Sequence, residues 1–131
     1  MKYLADTDFL FGLFVPDDTL HSKCKQVWLD IIKNKHEVYV LNTVEHEAAT
    51  VMSYKRDQAT AIKFIHNLPQ LGLKQLNLDR ELENKGWQVF LKQKNKRTSY
   101  IDCTNLAAIE KYRLEKVLSF DKFYPKNLRL S

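Results

Sequence analysis

Apolar residues along the chain follow two rhythms in turn. Short apolar-rich runs fall at positions 2–5 (KYLA), 37–41 (EVYVL), 73–78 (LKQLNL) and 116–120 (KVLSF). Their length and their β-branched and aromatic content predict strands, with 73–78 the weakest pattern of the four. Positions 128–130 (LRL) predict a short fifth strand. Between these runs apolar positions recur every three or four residues, the spacing of a helix with one buried face. Residues 7–14 predict a short helix. Residues 19 to about 34 predict a longer one, with Leu20, Cys24, Val27, Trp28, Ile31 and Ile32 on one face. Asn42 or Thr43 opens a helix carrying Val44, Ala48, Val51 and Met52. Residues 57–67 predict another, with Ala61, Phe64, Ile65 and Leu68 inward, ended by Pro69 and Gly72. Asp79 caps a helix to about residue 94 with Leu82, Trp87, Val89, Phe90 and Leu91, and Ser99 caps one over 100–111.

Strands therefore alternate with helices, and no Asn-Gly hairpin signal interrupts them. Such an order implies right-handed crossovers. The expected fold is α/β: a three-layer α/β/α sandwich around a mostly parallel sheet of four to five strands. At 131 residues the chain suits a single domain over 1–131, large enough to bury a core without disulfide or zinc staples.

Composition narrows the chemistry. Cys24 and Cys103 are far apart, and no Cys-x-x-Cys or paired-histidine spacing suggests zinc; two buried thiols in a reducing compartment are expected. Aspartates interrupt the apolar N-terminus before a signal-peptide core forms, and no stretch is long enough to span a bilayer, so a cytoplasmic protein is expected. The net charge of +5 suits a polyanionic partner without requiring one. His21, His36, His46 and His66 are scattered, with no pairing suited to metal-free acid–base cleavage.

Position makes the acids informative. Ligands of an open parallel sheet bind at the carboxyl ends of its strands. Asp6 follows the first predicted strand, and Asp121 the fourth. Glu47 lies in the first turn of the helix after the second, and Asp102 in the first turn of the helix before the fourth. Taken singly, Asp6 also fits a helix cap, Asp102 a helix-dipole partner and Asp121 a turn residue. Together they would repel one another unless a cation neutralised them, and magnesium, an oxygen-seeking ion, does so naturally. Asp8 is expected to be a surface or capping residue. Glu45 and Glu47 flank the buried face of their helix about equally, so periodicity does not choose between them. Asn105, on the helical face of Asp102, fits a group orienting a ligand or a water and equally a core or surface amide, while Thr7 and Ser119 stand where they would hydrogen-bond the carboxylates or serve as cap and turn hydroxyls.

These residues resemble a known family. YLADTDFLFGLF is similar to the opening block of PIN domains, and LNTVEHEAATVMSY to their second. TSYIDCTNLAAIEKY is similar to the third and VLSFDKFYPK to the closing block, with Ser119 where Thr is commoner. The four blocks stand in the family's order across almost the whole chain. The resemblance implies a metal-dependent ribonuclease whose acidic set is Asp6, Glu47, Asp102 and Asp121. In it Asp6, Asp102 and Asp121 hold Mg2+, for which Mn2+ substitutes. Aligning the capped start of the second block puts the family's glutamate on Glu47. A lone domain of this size looks most like the toxin of a VapBC-type toxin–antitoxin pair: a homodimer that cuts RNA and is silenced by a small antitoxin whose tail enters the groove.

The basic run ahead of Asp102, notably Lys94, Lys96 and Arg97, is a candidate grip on the RNA backbone. Two other functions compete. One is a non-catalytic module of this fold that binds RNA or protein. The other is a haloacid-dehalogenase-like phosphatase using Asp6 of the Asp-Thr-Asp run as nucleophile, although Phe9-Leu10 departs from that motif.

Overall fold

The computed structural model describes residues 1–130. Its elements run β1 (Lys2–Ala5), α1 (Thr7–Phe14), α2 (His21–Lys33), β2 (Glu37–Leu41), α3 (Asn42–Lys55), α4 (Gln58–Asn67), a 3-10 turn (Leu68–Leu71), β3 (Lys74–Leu76), α5 (Arg80–Leu91), α6 (Tyr100–Tyr112) and β4 (Lys116–Leu118). The strands form one sheet in the order β3-β2-β1-β4, and every pairing is parallel. Helices cover both faces, giving the expected three-layer α/β sandwich with four strands.

A sheet covered on both faces needs strands that are apolar throughout. Leu4 and Ala5 of β1, Val38, Val40 and Leu41 of β2, and Val117 and Leu118 of β4 are all buried. β3 is the exposed edge, which accounts for its weak pattern in the sequence. The chain builds outward from β1 through β2 to β3, then returns to lay β4 on the other side of β1. The strand order therefore reverses between β1 and β4, and the crevice beyond their carboxyl ends is where such sheets bind ligands.

Side-chain caps define several helix starts. Asp57 Oδ1 accepts the Thr60 amide at 2.7 Å, Asp79 Oδ1 the Leu82 amide at 2.9 Å, and Ser99 Oγ the Asp102 amide at 3.4 Å. Asn42 does more than open α3. Its Oδ1 accepts the Thr43 amide at 3.0 Å and the Leu78 amide at 3.1 Å, so it ties the exit of β2 to the segment after β3.

The structure departs from the sequence pattern mainly in α5. Leu82 and Gly86 are its buried residues, while Trp87 is 46% and Leu91 79% exposed. The cause is a close approach to α6: a Cβ on Gly86 would stand 2.7 Å from the Thr104 methyl. Packing on α6 rather than broadside on the sheet leaves Trp87 at the rim, stacked on Tyr100 with ring centroids 4.0 Å apart. Ile32 and Ile65, read as inward, are half-exposed for a related reason: the apolar stripe is wider than the surface it covers. The 128–130 segment is not a strand. It runs beside β4 on two backbone bonds, Val117 N–H to Leu128 at 3.0 Å and Leu130 N–H to Ser119 at 2.9 Å.

Candidate active site

β1 ends directly at Asp6, which turns the chain into α1 and caps it. Its Oδ1 accepts the Thr7 amide at 2.7 Å, and the residue is 4% exposed. Asp102 sits in the first turn of α6, immediately after the Ser99 cap. Asp121 leaves β4 in a tight turn, in which its amide donates to Ser119 Oγ at 3.1 Å and its Oδ1 accepts the Phe123 amide at 2.9 Å. Because α3 starts at Asn42, Glu47 lies in its second turn rather than its first. Asp6, Glu47, Asp102 and Asp121 all line one cleft of about 440 Å3. Glu45, the other candidate, instead accepts a hydrogen bond from Gln75 of β3 and is not part of the cleft wall.

Asp8, expected at the surface or as a cap, is not a surface residue. It is half-buried and lines the same cleft. Its Oδ2 accepts from the Ser119 hydroxyl at 3.1 Å and from the Phe120 amide at 2.9 Å, while its Oδ1 accepts the Phe9 amide at 2.9 Å. Asp8 thus fastens the exit of β4 to α1, which fixes the base of the turn that carries Asp121. Its one legible signal was its place two residues after Asp6.

Tyr124 went unread in the sequence. Its hydroxyl lies 2.7 Å from Asp6 Oδ2, 3.2 Å from Asp102 Oδ1 and 3.0 Å from Asn105 Nδ2, which donates to it. Asn105 therefore reaches the acids through Tyr124 rather than directly. The Thr7 hydroxyl and Asn105 Oδ1 are buried without a protein partner. Lys94, Lys96 and Arg97 lie on the exposed connection before α6 and do not line the cleft. Lys55 is the base that does, reaching it from the last turn of α3 with its ammonium 5.8 Å from the centre of the Phe11 ring.

Burial, reinforced by crowding of like charge, dominates the electrostatics. Burial, then the charges of Asp6 and Asp121, push the Asp102 carboxyl up to about 8; Glu47 adds to the rise and the Tyr124 hydrogen bond opposes it. Burial pushes Asp6 up to about 6 against the hydrogen bonds from Tyr124 and Thr7, with Asp8 and Glu47 raising it further. Burial also raises Asp8. Among the described residues, none of the cleft acids is in an ion pair. Nor do three acidic, histidine or cysteine side chains already close into a cage around one point. A hard divalent cation of the magnesium kind needs no such cage, since it keeps several waters and binds through one or two carboxylates. Asp6 and Asp102, sharing one hydroxyl, are a pair of that kind, and their uncompensated charge suits such an ion.

The chain matches the PIN domain family over residues 3–126. No curated protein matches it. Among solved structures, the fold is similar to Mycobacterium tuberculosis VapC20, a toxin that cleaves the sarcin–ricin loop. The TM-score is 0.81 at 19% identity, over 91% of this chain and 89% of that one. It is also similar to VapBC2 from Rickettsia felis, solved bound to a DNA fragment from their promoter. There the TM-score is 0.71 at 10% identity, over 99% of this chain and 98% of that one.

Raised carboxyl pKa values link folding to pH. Asp6 and Asp102 bind protons more tightly in the folded chain than in the unfolded one. Their contribution to stability is complete below pH about 4 and is lost as pH rises through about 6 and then about 8. In metal-free protein, Asp102→Asn is expected to raise the melting temperature at pH 8.5 and leave it nearly unchanged at pH 4. Added Mg2+ is expected to stabilise the unsubstituted protein at pH 8.5 and hardly at all at pH 5, because protons then occupy the acids. Thermal melts at the two pH values check this; a magnesium effect of equal size at both would contradict it.

Proposed function

The chain belongs to the PIN domain family, and from that premise we propose that it is a magnesium-dependent endoribonuclease, the toxin of a VapBC-type toxin–antitoxin pair. The observation carrying the proposal is the cleft itself: Asp6, Asp8, Asp18, Glu47, Asp102 and Asp121 face one space at the switch point of the sheet, and among the described residues none of them is in an ion pair. Metal-dependent nuclease chemistry uses such an arrangement.

In this reading Asp6 and Asp102 hold the ion, with Asp121 beside them, and Mn2+ can replace Mg2+. When bound, the ion supplies positive charge to a scissile phosphate and to the water that attacks it. Glu47, on the α3 side of the cleft, accepts the proton that water loses as its oxygen adds to phosphorus; the ester P–O bond breaks with its electron pair on the leaving oxygen, which takes a proton from solvent water. Lys55 lies two turns beyond Glu47 on the same helix face and offers its ammonium to a neighbouring phosphate of the RNA.

The likeness to the Rickettsia felis VapBC2 supports a small antitoxin as partner. By the same family logic the toxin is a homodimer acting in the cytoplasm. No helix among the described residues is long and apolar enough to cross a membrane. Family membership also removes the support for a dehalogenase-like phosphatase, whose nucleophile Asp6 would have been.

Cleavage of RNA by partner-free protein, with Mg2+ and with EDTA, tests the activity. Asp102→Asn is expected to lower kcat by more than about 100-fold, as loss of a charge-stabilising group does, while the protein stays folded. Glu47→Gln is expected to lose activity comparably and Glu45→Gln to keep it. Unchanged turnover in Asp102→Asn, or cleavage indifferent to EDTA, would contradict the proposal. Lys55→Ala is expected to flatten the slope of log affinity against log salt by about 0.7 for single-stranded RNA, the signature of one lost phosphate contact. A slope unchanged in Lys55→Ala but flattened in Lys94→Ala or Lys96→Ala would return the grip to the connection before α6.

A further inference from the structure

We propose that Tyr124 is a positioning residue of the acidic centre, whose buried hydroxyl sets Asp6 and Asp102 in the orientation that receives the ion. The inference deepens the metal-dependent reading above and rests on it.

Tyr124 is 0% exposed and among the largest fully buried side chains. A buried phenol needs one hydrogen-bond partner; this one has two carboxylates and an amide around its oxygen. Asn105 donates to it, so its own proton is free for the acids, and the 2.7 Å contact directs that proton chiefly to Asp6 Oδ2. Asp6 Oδ1 already accepts the Thr7 amide. With both oxygens held, the carboxylate plane of Asp6 is fixed, yet each oxygen keeps a second lone pair for another partner. Asp102 arrives from α6, far away in the chain, and its Oδ1 lies on the same hydroxyl. One atom thereby sets the relative placement of the two carboxylates.

The phenol is itself held. Its backbone N–H donates to the Asp121 carbonyl at 3.2 Å, and its own carbonyl accepts from Arg129 Nη1 at 2.7 Å. Its ring packs edge-on against Phe123 with centroids 5.2 Å apart. The turn after β4 therefore carries both an acid of the cleft and the clamp for two others. Asn105 Oδ1 is left buried without a partner while the amide nitrogen is aimed at Tyr124. A packing role alone would be met by phenylalanine, which fills the same space and leaves no polar group to satisfy.

Direct Mn2+ binding, followed by the electron paramagnetic resonance of the free ion, tests the proposal in the intact protein, in Tyr124→Phe, in Asn105→Leu and in the double variant. Tyr124→Phe is expected to raise the Mn2+ Kd by about 10–100-fold, the usual loss when an outer partner of a ligand is removed. RNA cleavage by Tyr124→Phe should recover as Mn2+ is raised, which a folding defect would not allow. Asn105→Leu works the same chain from its far end and should weaken Mn2+ binding in the same direction. The double variant should be no weaker than Tyr124→Phe. An unchanged Kd in Tyr124→Phe, or losses that simply add, would overturn the proposal. Failure of the unsubstituted protein to bind Mn2+ would overturn the metal-dependent reading, and this inference with it.

Discussion

Burying several carboxylates side by side at one sheet edge, where lost hydration and mutual repulsion both oppose their charge, is the constraint on which the rest of the structure turns. Each pKa unit is worth about 1.4 kcal/mol, so ionising Asp6 at neutral pH costs about 3 kcal/mol in the metal-free fold, chiefly through burial and further through Asp8 and Glu47. That is a sizeable part of the roughly 5–15 kcal/mol by which domains are stable. A chain that served only to fold would not keep Asp6 there. The cost is understandable if a cation removes it, and among the described residues no Lys or Arg forms an ion pair with the cleft acids.

The surrounding fold holds the acids against that repulsion. Parallel pairing of β1 with both β2 and β4 brings the ends of distant segments to one edge. Asp8 then ties Ser119 and Phe120 back onto α1, so that the turn bearing Asp121 cannot swing away. Tyr124, from the same turn, reaches under Asp6 and Asp102. Without these two links the acids could relieve their repulsion by moving apart. With them the cleft stays preorganised, which catalysis by electrostatic stabilisation requires.

The sequence was a good guide to whatever depends on local rhythm. Leu4, Val40 and Val117 sit in apolar runs and are buried in the sheet; Asp57, Asp79 and Ser99 precede helices and cap them. Strand ends placed Asp6 and Asp121 at one edge, and helix starts placed Glu47 and Asp102 near it. What escaped depends on contacts between segments far apart. Asp8 looks like any helix-start acid until its partners, more than a hundred residues later, are known. Tyr124 lies in an irregular turn, where no periodicity marks an inward side chain. Trp87 and Leu91 fit the apolar stripe of α5, but Gly86 draws that helix onto α6 and leaves them at the surface. Lys55 was one base among many until the cleft gave it a neighbourhood. Preferring Glu47 to Glu45 needed family likeness in the sequence; in the structure Glu47 lines the cleft and Glu45 does not.

Asp6 and Asp102 are proposed to receive a divalent ion between them. The most direct measurement is the anomalous scattering of Mn2+ in crystals of the protein soaked with that ion. A peak within coordination distance of carboxylate oxygens from both residues, lost in Asp102→Asn crystals, is expected. Full Mn2+ occupancy elsewhere on the protein, with none between these two carboxylates, would contradict it.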